Sequence, residues 1–157
     1  MSKIERRRGR QKGRKSEGSF LAIPHVVLRS AEFGRLNGWC VKLLVEMASA
    51  HRGNNNGDLS AAYSVLKGRG WNSSGTLAQS LRDLVDRGWL VVTRHGGRHK
   101  CALYAITWWA IAECPGKGLE VGPETAPRNS WRKTESVLAM RCNVLAMRCN
   151  EPGKEAA

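Results

Sequence analysis

Two β-rich runs, residues 89–95 and 98–107, flank Gly96-Gly97, and they follow stretches whose apolar residues recur at the helical period. A glycine pair between such runs is a strong hairpin signal, because a two-residue turn demands backbone conformations that glycine adopts freely. That register would pair His95 with Arg98, Arg94 with His99, Thr93 with Lys100 and Val92 with Cys101. The base of the hairpin is then apolar, through Leu90, Val92, Cys101 and Leu103, and its tip is basic or small.

Three helices are expected upstream. Asn37 is a good cap for a helix over 38–51, in which Cys40, Leu43, Leu44, Met47 and Ala48 form one apolar face. Gly53 ends it, and Asn54-Asn55-Asn56-Gly57 reads as a turn. Asp58 caps a short second helix over 59–67, with Leu59, Ala62 and Leu66 inward, and Gly68 to Asn72 break it. Ser73 or Ser74 caps a third over 74–87, with Leu77, Ala78, Leu81, Leu84 and Val85 inward and Gly88 as a left-handed C-terminal cap. Ahead of them, residues 20–28 contain Pro24 and read as an extended lead-in.

The flanks differ in composition from this body. Of 157 residues, Lys and Arg supply 26 and the acids 13, a net charge of +13. Residues 1–20 hold eight basic and two acidic side chains, so an arm over 1–19 carries Arg6, Arg7, Arg8, Arg10, Lys12, Arg14 and Lys15 and offers little to bury. Such an arm is expected to be disordered until it meets an anionic partner. Residues 113–136 have the Pro/Gly content of a linker, and 137–150 are a perfect tandem repeat of Val-Leu-Ala-Met-Arg-Cys-Asn, read as a duplication in a weakly constrained, disordered tail. The longest nearly apolar run, 101–112, is too short to span a membrane. Five cysteines, an odd number without paired spacing, suggest reduced thiols, hence a cytoplasmic protein.

Three helices followed by a two-stranded hairpin is the element order of a winged helix-turn-helix domain, an α+β fold with a three-helix core and a β-hairpin wing, here over 20–112. Subtracting the inward positions leaves Ser73, Ser74, Thr76, Gln79 and Arg82 facing out on the first turns of the third helix. Small polar residues permit close groove approach, Gln79 has the donor–acceptor pair that matches adenine, and Arg82 reaches guanine or phosphate. Asp83 and Asp86 would repel phosphates. In the wing, Arg94, His95, Arg98, His99 and Lys100 crowd like charges across paired strands, which is destabilising unless an anion neutralises them. Edge protection by charge is the alternative. Six tryptophans are many for this length. Trp39, Trp71, Trp89, Trp108 and Trp109 read mainly as core, with Trp71 the one candidate for base stacking.

From Phe20 to Trp109 the chain resembles winged-helix proteins of bacterial prophages and mobile elements, including DNA-binding parts of phage and plasmid replication proteins. The residues that carry the resemblance are Leu36-Asn-Gly38, Asn55-Asn-Gly-Asp-Leu59, Gly70-Trp71, Ser74, Thr76-Leu77, Leu84-Val-Asp-Arg-Gly88, Thr93-Arg-His-Gly-Gly97 and Leu103-Tyr-Ala-Ile-Thr-Trp108. It implies DNA binding by the third helix and the wing, and leaves regulator and replication accessory equally open.

No catalytic constellation is present: phosphate loop, nucleophile elbow and His-Glu-x-x-His are all missing, and the acids do not cluster. His95-x3-His99-x-Cys101 lacks a second ligand pair, so neither metal nor cofactor is expected. Cys40 and Cys101 read as small core residues. The expectation is a non-enzymatic, sequence-specific binder of double-stranded DNA without a small-molecule substrate, in which a homodimer or several sites would add affinity. An RNA-binding or protein-docking adaptor is the alternative.

Overall fold

The computed structural model describes residues 20–132. The arm over 1–19 and the repeat over 137–150 lie outside the described residues. What is described is mixed α+β: five α-helices and a two-stranded antiparallel sheet. In chain order these are α1 His25–Leu28, α2 Ala31–Gly34, α3 Gly38–Ser49, α4 Tyr63–Leu66, α5 Ser74–Asp86, β1 Leu90–Arg94 and β2 Leu103–Ile106. Single 3-10 turns follow at Lys67–Arg69 and Ser130–Arg132.

The two long helices form where local sequence signals place them. The Asn37 side chain accepts from the Cys40 amide at 2.8 Å and opens α3, and Ser73 accepts from Thr76 at 3.2 Å and opens α5. On α3 the buried residues are Cys40, Leu43, Leu44, Met47 and Ala48, the face expected from periodicity. On α5 the fully buried positions are Leu77, Ser80 and Leu84. Ala78, Leu81 and Val85 are only partly buried. Ser80 is tolerated inside because its hydroxyl donates to the Thr76 carbonyl at 2.9 Å, while its own carbonyl accepts from the Cys40 thiol.

The lead-in is free of helix only as far as Pro24, whose backbone is extended; residues 25–28 are helical. Pro24 sits at the N-cap of α1, where a missing N–H removes no helical bond, and the Ser30 hydroxyl caps α2 by accepting from Phe33. The second helix is also shorter than expected. Asp58 caps nothing; it pairs with Lys117 at 2.8 Å, and Leu59 exchanges backbone hydrogen bonds with Tyr104 of β2 at 3.2 and 2.9 Å. A two-stranded sheet is marginal alone, and this bridge shields one of its edges.

The hairpin forms in a different register from the expected one. Leu90 faces Ile106, Val91 faces Ala105 and Val92 faces Tyr104, with a bulge before Arg94 meets Leu103. Gly97 and Lys100 close the tip by exchanging hydrogen bonds at 2.9 and 3.2 Å, so the turn falls on Arg98-His99. Neither Gly96 nor Gly97 has the positive φ that a tight glycine turn uses. Gly96 instead allows a close strand approach: a Cβ there would stand 3.2 Å from the Ala102 amide. Burying Leu90 against Ile106 wins over the short glycine loop. The shift leaves Cys101 exposed rather than in the core.

Residues 113–132, expected as linker, pack onto the body. The Glu120 amide donates to the Thr93 carbonyl at 2.7 Å, Glu124 to Ile111 at 2.9 Å and Asn129 to Thr107 at 2.8 Å. Trp131, 3% exposed, stacks on Trp89 with centroids 5.1 Å apart and planes 4° from parallel. Phe33 and Trp108 meet Trp89 edge-on. Gly88, at φ 73°, admits this closing turn, since a Cβ would lie 2.8 Å from Ser130 backbone atoms. Asn56 completes the body: buried, it accepts from the Ile106 amide at 2.8 Å and reaches the carbonyls of Ile106, Trp109 and Ala110 within 3.1 Å.

Candidate nucleic-acid interface

The outward face of α5 is as subtraction placed it. Ser73, Ser74, Gly75, Gln79 and Arg82 are exposed and Thr76 is half-buried. Its two larger polar groups are not idle, however. Gln79 donates to Asp83 at 2.8 Å and accepts from Arg82 at 2.9 Å. A base edge or phosphate would exchange for these solvent-exposed bonds, which are worth little individually. The arrangement holds Gln79 and Arg82 side by side on one turn.

The hairpin's basic residues divide into two sets. Arg94 is tied to the body, donating to the Cys101 carbonyl at 2.9 Å and to the Lys117 carbonyl at 2.5 Å. His95 is tied to Glu120: its amide donates to Oε1 at 2.9 Å and its ring Nδ1 stands 2.6 Å from Oε2. The His95 contact, by side-chain and then backbone hydrogen bonds, pulls the Glu120 carboxyl below its ordinary range. Arg98, His99 and Lys100 are exposed and make no side-chain hydrogen bond or ion pair among the described residues. The five residues are thus not one cluster. Three are presented at the tip and two are spent on the returning segment.

Other aromatic and basic groups fall differently from expectation. Trp71 is 1% exposed and its indole N–H donates to Glu46 at 3.3 Å, so it has no free face for a base. Trp39, expected in the core, is 46% exposed and leans on Trp71 at 5.3 Å. Lys67 and Arg69 are exposed in the turn that leads to Ser73, and Lys42 holds this turn by donating to the Arg69 carbonyl at 2.7 Å. Reading Lys67 as the end of a longer helix concealed this pair. The turn's glycines, Gly68 and Gly70, were the available signal.

Among the described residues no group of three His, Cys, Asp or Glu side chains comes together to hold a metal ion, and no helix is long and apolar enough to cross a membrane. Set against protein-family models, curated proteins and solved structures, the chain matches none of them.

Proposed function

We propose that this chain is a winged helix-turn-helix protein that binds double-stranded DNA sequence-specifically and without catalysis. Its setting would be a bacterial prophage or mobile element, as transcriptional regulator or replication accessory. In this reading α3, α4 and α5 are the three-helix core and β1–β2 the wing. The first two turns of α5 enter the major groove, where Gln79 and Arg82 read base edges and Ser73, Ser74 and Thr76 allow close approach. Arg98, His99 and Lys100 hold flanking phosphates, with Lys67 and Arg69 as further phosphate contacts. The arm residues Arg6, Arg7, Arg8, Arg10, Lys12, Arg14 and Lys15 add sequence-independent attraction.

The observation that carries the reading is the free basic tip. With Arg94 and His95 bonded elsewhere in the chain, three adjacent cationic or imidazole side chains remain exposed at the hairpin end with no hydrogen-bond or ion-pair partner among the described residues. A single wing offers few contacts, so a homodimer or adjacent sites would raise affinity.

Fluorescence anisotropy of a mixed-sequence duplex across a salt series, with the full chain and with a chain lacking residues 1–19, tests the proposal. Affinity that falls steeply with salt and survives loss of the arm supports it, and selection from random duplexes should then yield a site whose preference relaxes on Gln79→Ala or Arg82→Ala. Binding that vanishes with the arm removes α5 as a DNA reader and turns the search to RNA or protein partners.

A further inference from the structure

Trp39 lies on neither the outward face of α5 nor the hairpin, and the duplex reading gives it nothing to do. It sits in the first turn of α3 and leaves nearly half of its surface to solvent, while Trp71 beneath it is buried. The two ring centroids stand 5.3 Å apart with planes tilted by 49°. Trp71 is itself held: its indole N–H donates to Glu46, and Lys42 Nζ lies 5.4 Å from its ring centre. Trp39 is thus an exposed indole on a fixed support. A tryptophan in that setting is a surface that a flat partner can cover.

Its neighbourhood is basic and open. Lys42, one turn along α3 from Trp39, donates to the Arg69 carbonyl at 2.7 Å and so ties the Lys67–Arg69 turn to this end of the helix. Lys67 and Arg69 are exposed, and their side chains make no hydrogen bond or ion pair among the described residues. Gly68 and Gly70 alternate with them, and a Cβ at either would meet no atom within 4 Å, so a backbone can approach the turn closely. Glu46, which bonds Trp71, is paired with Lys42 and leaves these cations unopposed. Single-stranded nucleic acid fits such a surface: the cations follow its phosphates, and an unpaired base offers the indole a face that a duplex keeps stacked. We propose that Trp39, with Lys67 and Arg69, binds an unpaired nucleotide of single-stranded nucleic acid. The two cations are shared with the duplex reading, but Trp39 is not, so either proposal can fail alone.

The test is fluorescence anisotropy of the full chain with labelled oligothymidylate, oligouridylate and an abasic strand, each about twelve nucleotides long, within the span that single-strand sites cover. The abasic strand keeps the phosphates and registers only the cations and the arm. At least one base-bearing strand should bind about fivefold or more tightly than the abasic one, and the tighter of the two names the sugar. Trp39→Ala and Trp39→Leu should abolish that preference and leave affinity for the abasic strand and for duplex DNA unchanged. Trp39→Leu keeps apolar bulk against Trp71, so it decides the matter even if Trp39→Ala unfolds. Replacing Lys67 and Arg69 together by alanine should weaken all three strands and lower the salt slope by about 1.4, at about 0.7 for each phosphate contact. Equal binding of base-bearing and abasic strands overturns the proposal, as does a preference that survives Trp39→Leu. Either result would leave Trp39 to a protein partner.

Discussion

Arg94 and His95 repeat the chemistry of Arg98 and His99 four residues earlier in the same hairpin, yet the two pairs have opposite fates. The first pair is bonded to residues 101–120 and the second is exposed at the tip. The register that forms sets none of these basic residues opposite another: Arg94 faces Leu103, Lys100 faces Gly97, and Arg98-His99 lie in the turn, so the pairs differ in what their side chains meet. The first pair finds its partners inside the chain: His95 meets the Glu120 carboxylate, and Arg94 donates to the carbonyls of Cys101 and Lys117. Crowded positive charge is therefore an argument for a nucleic-acid partner only at the tip. Sequence proximity made the residues look equivalent, and the returning segment separates them.

The largest expected effect comes from breaking what holds that segment. Trp131→Ala removes the ring stacked on Trp89 and should cost about 3–5 kcal/mol, as deletion of buried aromatics does. Urea unfolding measures it. A loss below about 1 kcal/mol would be ordinary for any substitution and would mean the segment is a passenger. Asn56→Ala follows, at about 2–4 kcal/mol, because it strands the Ile106 amide and removes the donor to three carbonyls. Its midpoint in urea should fall without a change in slope.

These two residues also mark where the sequence stopped being legible. The caps Asn37 and Ser73, the buried face of α3 and the left-handed Gly88 were readable because each signal and its partner lie within a few residues. Asn56 was read as turn chemistry, and its partners lie fifty or more positions away. Glu120 and Trp131 sit in a stretch whose prolines and glycines mimic a linker, and no local pattern announces that a strand edge and a tryptophan face await them. The strand register failed for a related reason. The Gly-Gly signal is local, while the pairing of Leu90 with Ile106 is set by burial. On the candidate interface, the outward positions of α5 were legible by subtraction, but the bonds that engage Gln79, Arg82, Arg94 and His95 were not.

The tip sharpens the comparison from the other side. Replacing Arg98, His99 and Lys100 together by alanine should leave stability within about 0.5 kcal/mol, since none of the three side chains is buried or bonded to another described residue. On the proposed function the same variant should bind duplex DNA at least about tenfold more weakly and lower the salt slope by about two, one for each permanent cation removed. Arg94→Ala should do the reverse, lowering stability by about 1 kcal/mol through its lost backbone bonds with a smaller change in salt slope. Equal salt slopes for the two variants would erase the distinction between held and free residues.

The smallest effect isolates the held half without any partner. Glu120 binds His95 as a carboxylate, and that contact lowers its folded pKa from the ordinary 4.5. A depressed acid contributes its stabilisation above the unfolded value and loses it as pH falls through the folded one. In an NMR titration from pH 6 to pH 2, roughly spanning carboxylate ionisation, the His95 amide should therefore shift with a midpoint below that of an unpartnered glutamate. It donates directly to Glu120 Oε1. The Arg98 and Lys100 amides, on the tip side of the bulge, should not follow that midpoint. Glu120→Gln should abolish the His95 transition and leave the tip resonances where they are. If all the hairpin amides move together at one midpoint, hairpin and segment unfold as a unit, and the division drawn between tip and base would be one of contacts and not of local stability.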